Sequence, residues 1–395
     1  MGASHSNKLV ALESLRGIAA CVVVITHCTL AFYPQFVASL YNGMTPSAFQ
    51  VYAGPWLILF NGAAAVLIFF VLSGFVLSRR YFLTGDASVL LASAIKRWPR
   101  LMGLVLVSTI TSVTLLITLP DRTILVAEIS GSAWLYGAAF GGMQGRLELS
   151  FVDAFMQGAL LTFVRGDSYY NTSLWTMWWE FVGSFIVFAF ALLLAKVRAG
   201  ATAAAAMMIA SALAFFWSPY IGAFVIGASL SYVLARRPVV LPTSVGVALV
   251  AFAVVALGFH PSGWLGPGPL VKMGGTVGPY LWIAAATALV LAFAACEPFI
   301  RAMSSGFFAW LGRISFALYV IHVAMIAHVG CLVYLSVPGS IAAPSAFLAA
   351  VVASFAAAIP LSAFDRLWLK KLRALDSIPR CLDSWFRRRM PAPAE

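Results

Sequence analysis

The sequence predicts an all-α integral membrane protein, a polytopic bundle of about ten transmembrane helices with both termini in the cytoplasm. Three observations carry this. Of 395 residues, 62% are hydrophobic and only 10% are charged, with a mean hydropathy of +0.95. Nearly uncharged apolar runs, long enough to cross a bilayer, recur along the whole chain. Lys and Arg fall between those runs with a strong bias to one side. The first observation excludes a soluble fold. The third excludes the nucleic-acid partner that a net charge of +12 otherwise suggests, because the basic residues form short clusters between spans.

The ten spans lie near 9–31, 55–78, 101–120, 174–195, 199–217, 219–235, 240–258, 276–296, 308–334 and 343–368. With the N-terminus in the cytoplasm, 20 of the 25 Lys and Arg residues are on the inner side. Residues 1–370 read as one membrane domain. Residues 371–395 read as a basic cytoplasmic tail whose Leu375, Leu382, Trp385 and Phe386 suit contact with membrane lipid.

Two connections stand out. Residues 79–100 form a basic inner connection ending in Lys96-Arg97-Trp98-Pro99-Arg100, in which Arg79 and Arg80 read as topology determinants or lipid-headgroup contacts. Residues 121–173 form the longest outer segment, mostly apolar but with five acids, and read as interfacial or re-entrant helices; a hairpin of two further spans is the alternative. The five cysteines include no C-x-x-C pair, so neither a disulfide framework nor a metal site is expected. The first span carries Arg16 and lacks a small-residue cleavage site, so it reads as a span and not a removable leader.

Ionisable groups inside a bilayer are costly and tend to face a working cavity. Arg16 and His27 are eleven residues apart on the first span. That is about three turns, so both point the same way, ~16 Å apart along the axis. A neutral imidazole at position 27 can accept a proton as a general base, or can simply be satisfied by a backbone carbonyl. Arg16 can bind an anion bidentately or pair with Glu13, three residues earlier. Glu180 lies about two turns into the fourth span, at a depth similar to that of His27, and is the candidate to orient it; bridging helices is the other reading. Asn61 can donate to an oxyanion or bridge helices, and Ser73-Gly74 permits close approach of a ligand or a helix. His322 falls near mid-membrane in the ninth span, and His328 further out.

Four segments in order strengthen these readings. They are Leu12 to Ala20 followed by His27, FFVLSGF at 69–75, SLWTMWWEF at 173–181 and LGRISFALYVIH at 311–322. Together they resemble acyltransferase family 3, the integral-membrane O-acyltransferases of bacterial glycans and secreted products. The resemblance covers nearly the whole chain. It implies transfer of an acyl group, typically acetyl from acetyl-CoA, to a hydroxyl, in a multi-pass protein of the bacterial inner membrane. The acceptor it implies is a surface or exported glycan or another hydroxyl-bearing molecule, with polysaccharide-assembly machinery as a partner. Arg16 and His27 match the family's essential first-span pair, and Arg97 and Arg100 its Arg-x-x-Arg element. Pro99 between those arginines departs from the pattern and puts the local helix geometry in question.

The expected site is then His27, Glu180 and Asn61 for catalysis, with Arg16, Arg97, Arg100 and Ser73 for the acyl donor. A pantetheine arm is expected to thread along the first span from Arg16 to His27. The rival class is an ion-coupled secondary transporter or glycan flippase, for which intramembrane Arg, Glu and His are equally suited. Paired half-repeats with broken helices, common in transporters, are not visible.

Overall fold

The structure is a computed structural model describing residues 2–36, 55–118, 122–138, 149–237, 239–258 and 269–377. Most of the basic tail lies outside the described residues. Helices α1 (Gly2–Phe32), α2 (Gly62–Thr84) and α3 (Ser88–Thr118) open the chain, followed by the short α4 (Arg122–Ser130), α5 (Ala133–Ala138) and α6 (Phe151–Val164). The rest comprises α7 (Trp175–Lys196), α8 (Ala201–Trp217), α9 (Pro219–Arg236), α10 (Thr243–Leu257), α11 (Pro269–Ala295), α12 (Glu297–Met303), α13 (Gly306–Ser336) and α14 (Ala342–Leu372). No strand occurs among the described residues. The protein is an all-α polytopic membrane protein.

Among the described residues, eight helical segments are long and apolar enough to cross a bilayer. The two remaining expected spans, 199–217 and 240–258, coincide with α8 and α10, of 17 and 15 residues. At 1.5 Å per residue α10 reaches only about 22 Å, short of a ~30 Å hydrocarbon core. The expected inner connection, 79–100, is not a loop. α2 runs through Arg79 and Arg80 to Thr84, and α3 begins at Ser88, so only a tight turn separates them. Gly85 makes that turn with φ 71° and donates to the Tyr81 carbonyl at 2.8 Å.

α3 runs unbroken through Pro99. Trp368 of α14 donates its indole N–H to the Pro99 carbonyl at 2.7 Å and lies against Gly103, where any side chain would collide with the ring. The geometry around the two arginines is therefore held by packing from the last helix. Local signals set other ends: Asn61 caps α2, and Ser218 caps α9 ahead of Pro219. In the outer segment, Tyr169 donates to Asp153 at 2.8 Å, tying the entrance of α7 to α6. Burial, reinforced by that carboxylate, holds the Tyr169 phenol well above its ordinary pKa.

Two glycine contacts set the bundle. Gly74 of α2 and Gly227 of α9 meet the backbone of the facing helix reciprocally, Phe224 in one direction and Val71 in the other. Gly17 of α1 and Gly312 of α13 do the same: a Cβ at Gly17 would lie 2.7 Å from the Gly312 nitrogen, and one at Gly312 would lie 2.7 Å from the Glu13 carbonyl. Both members of that pair therefore forbid a side chain. Three buried hydroxyls on these helices bond back to their own backbone: Ser14 to Val10, Thr26 to Val22 and Ser78 to Gly74.

Gly17→Val is expected to destabilise the protein by about 1–3 kcal/mol or more, since the neighbours it meets are backbone and cannot rotate away. Thermal unfolding in detergent reads this out. Gly306→Ala, with nothing within 4 Å of the added carbon, should leave the midpoint unchanged.

Candidate active site

A cavity of about 420 Å³ opens between α2, α3, α7 and α13, a volume within the ~300–1,000 Å³ usual for small-molecule sites. Its cations are Arg16, Arg80, Lys96, Arg97 and Arg100, and its one carboxylate is Glu180. Arg80 and Arg100 are exposed, while Val66, Thr176, Ser315 and Tyr319 are buried. The cavity thus grades from a cationic mouth to a closed, largely apolar end. Along α2 it extends from Arg80 to Val66, fourteen residues and about 21 Å. Ser73, Val76, Leu77 and Arg80 recur at helical spacing on one face, which brings Arg80 inward. The reading of Arg80 as a topology or headgroup residue is corrected accordingly. Arg79 points elsewhere, over the Phe75 ring at 5.1 Å.

Glu180 is not where its depth suggested. Its carboxylate forms an ion pair with Arg97 and accepts from the Ser73 hydroxyl at 2.7 Å. Arg97 also donates to the Glu180 carbonyl at 3.3 Å. Similar depth on two helices left the rotational phase of α7 open, and that phase turns Glu180 towards α3 instead of α1. Arg16 lies within electrostatic reach of Glu180, Arg100 and Glu13. Its side chain makes no hydrogen bond or ion pair among the described residues, so the alternative of a pair with Glu13 is not formed.

His27 lies beyond the closed end of the cavity and pairs with a residue from α13. Its Nδ1 is 2.7 Å from Nε2 of His322, and the two rings are nearly coplanar, 11° apart. Nδ1 of His322 is 2.7 Å from the Tyr319 carbonyl. A carbonyl can only accept, so His322 carries its hydrogen on Nδ1. With both rings neutral, Nε2 of His322 is then an acceptor, and Nδ1 of His27 must donate to it. The Nε2 lone pair of His27 is left available to take a proton. His322 thus fixes the tautomer of His27, the role a carboxylate has in other histidine-based sites. Trp134 of α5 stacks on the His27 ring, with centroids 4.8 Å apart. Ser130 and Ser132 hold that outer segment to the carbonyls of Ala31 and Leu30 at the end of α1.

Asn61 is drawn away from the chemistry. Its oxygen accepts from Ala64 N at 3.0 Å, and its amide donates to the Leu257 carbonyl at 2.7 Å. It caps α2 and ties it to α10; the oxyanion reading is corrected to helix bridging. Asn171 is a comparable tie, donating to Ser108 and to the Val320 carbonyl, both at 2.7 Å. The structure therefore gathers Arg16, Ser73, Arg97, Arg100 and Glu180 around one cavity, places His27 behind Tyr319, and leaves Asn61 outside both. Of the two ends of the expected passage, Arg16 lines this cavity and His27 does not, while Tyr319 lines it and accepts from His322 through its carbonyl. Sequence reasoning missed the His27–His322 pairing, Tyr319, Thr176 and Trp134. The Tyr319-x-x-His322 spacing was a usable signal, because i and i+3 share a helix face. Trp134 gave none, since an interfacial tryptophan is the ordinary reading.

The fold and site define a class: a polytopic membrane protein with a cation-lined cavity beside a hydrogen-bonded imidazole pair. The family follows from the comparison with known families. A model of the acyltransferase family 3 domain matches residues 9–363, and the chain belongs to that family. It is a multi-pass membrane acyltransferase. No curated protein and no solved structure matches the chain.

In the Arg97–Glu180 pair Arg97 is buried and Glu180 half-buried, so removing Glu180 strands a buried charge. Glu180→Ala is expected to cost about 3–5 kcal/mol, and the joint change Arg97→Met with Glu180→Leu to recover most of it. Thermal unfolding of the three proteins in one detergent measures both.

Proposed function

We propose that the protein transfers an acyl group, most simply acetyl, from cytoplasmic acyl-CoA to a hydroxyl of a surface or exported glycan. The observation that carries this reading is the charge balance of the cavity: five cations against one carboxylate, and that carboxylate already paired. Such a cavity suits a polyanion, and the nucleotide end of CoA is one. The positive-inside bias puts the cationic mouth on the cytoplasmic face, where acyl-CoA is available. Arg16, Arg80 and Arg100 would hold the phosphates. Arg97, neutralised by Glu180, would shape the wall instead of binding the donor. Ser73, engaged with Glu180, would do likewise.

The pantetheine arm would then run along α2 towards Tyr319, with its thioester at the buried end. The acceptor approaches from the outer side, where α4 and α5 cover His27. His27 takes the hydroxyl proton on Nε2 while the oxygen attacks the thioester carbonyl. The C–S bond breaks, and the proton passes to the departing CoA sulfur. The apolar surroundings keep water from competing. In this reading the protein works in a bacterial inner membrane beside polysaccharide-assembly machinery, and it needs no metal.

Two measurements on protein in lipid nanodiscs test the reading. His27→Ala should lower acyl transfer by about 10²–10⁴-fold, the usual worth of a positioned base, with membrane insertion unchanged. Arg16→Ala with Arg100→Ala should weaken equilibrium CoA binding by at least roughly tenfold, the loss expected for charge-assisted bonds. Unchanged CoA affinity would remove the donor-site assignment.

A further inference from the structure

Tyr319 has a polar group on each side of the boundary between the cavity and the imidazoles. Its ring closes the buried end of the cavity, edge-on to Phe69 with centroids 5.4 Å apart. Its hydroxyl shares a hydrogen with Thr176 Oγ1 at 2.9 Å and donates to the Ser173 carbonyl at 3.2 Å. Thr176 also lines the cavity. On the far side, the Tyr319 carbonyl accepts from His322 Nδ1, and the Tyr319 and His322 rings are 5.8 Å apart. His27 is one hydrogen bond further on. An acyl group at the end of the cavity therefore meets the phenol ring before it can meet the base.

We propose that Tyr319 is the partition between the donor cavity and the imidazole pair, and that release of its hydroxyl from Thr176 and Ser173 admits the acyl group to His27. This rests on the donor reading above and adds a residue that controls it. The side chain and the backbone of Tyr319 do separate things. Rotation about its side-chain bonds moves the ring and leaves the carbonyl in place, so the barrier can open without disturbing the His322 tautomer. Closed, the ring keeps the thioester from the base until an acceptor is present. Open without an acceptor, the base would activate water: the water oxygen attacks the thioester carbonyl, the C–S bond breaks, and the carboxylic acid and CoA thiol leave. Tyr319 is thus a positioning residue that sets the ratio of transfer to hydrolysis.

The test uses the full chain in nanodiscs, acetyl-CoA as the probe, and free-thiol release without acceptor as the readout. Tyr319→Phe keeps the ring and loses both bonds of its latch; release should rise roughly 25-fold, about fivefold for each lost buried hydrogen bond. Tyr319→Ala removes the barrier and should raise release further. Thr176→Val, which leaves the Ser173 bond, should fall between wild type and Tyr319→Phe. Adding His27→Ala to Tyr319→Ala should return release to the wild-type level, because the water is activated by the same base. A gain of hydrolysis cannot come from misfolding, so a merely structural role for Tyr319 does not reproduce it. CoA binding is measured on every protein. Wild-type protein that fails to bind CoA overturns the donor reading. Normal CoA binding with no rise in hydrolysis for Tyr319→Phe and Tyr319→Ala overturns the partition alone.

Discussion

The site depends on the register between α1 and α13. Gly17 and Gly312 touch backbone to backbone, and they are 295 positions apart in the chain. His27 and His322 are separated by the same 295 positions. The two helices run parallel, so a contact ten residues down fixes the contact ten residues up, about 15 Å away. Two glycines with no room for a side chain therefore set the distance between two imidazoles. Within the bilayer such small-residue contacts replace the hydrophobic drive that packs helices in water. A shift of one residue would rotate His27 by about 100° and end the pairing.

Much of the fold was legible because the bilayer restricts the choices. Apolar runs must become helices, and the bias of Lys and Arg orders their ends. The boundaries were less legible. The basic stretch at 79–100 read as a connection because charge marks the membrane edge, yet nothing in it except Gly85 stops a helix. The depth of site residues was also readable, by counting along a span from its charged end. Their azimuth was not. Glu180 and His27 were placed at similar depth and assumed to meet, but which way α7 faces depends on its neighbours. Gly183 lets Phe224 pack against it, and Glu180 then faces Arg97. Asn61 failed for a different reason: a polar residue at a helix start is often a cap, and capping uses the groups that catalysis would need.

The electrostatics follow from one pairing. Arg97 and Glu180 neutralise each other inside the bundle, and Glu180 is the one carboxylate among the described residues that line the cavity. Of the other cations there, Arg16 is within electrostatic reach of Glu13 and Glu180, and Arg100 of Asp365. An enzyme that must capture a polyanion and release its product benefits from this pairing, because the pair holds α3 to α7 whether or not a ligand is bound. Had Glu180 instead oriented His27, Arg97 would have been a buried charge without a partner, at a cost of several kcal/mol. Tautomer control by a second imidazole avoids bringing any formal charge to the base.

Aromatic rings flank the imidazole pair. Tyr319, which lines the cavity, lies beside His322, and Trp134 lies on the face of His27 under the outer segment. In the transport reading, polar groups at mid-membrane would line one path offered in turn to each side. Here the path is divided, and the division falls between a cation-lined cavity and a neutral imidazole pair. Those two environments suit different molecules: a charged donor on one side, a hydroxyl-bearing acceptor on the other. On the proposed reading neither substrate needs to cross, because only the acyl carbon has to pass the boundary. On that reading the cavity has only to deliver an acyl group to the imidazole pair, and the bundle need not pass a whole solute.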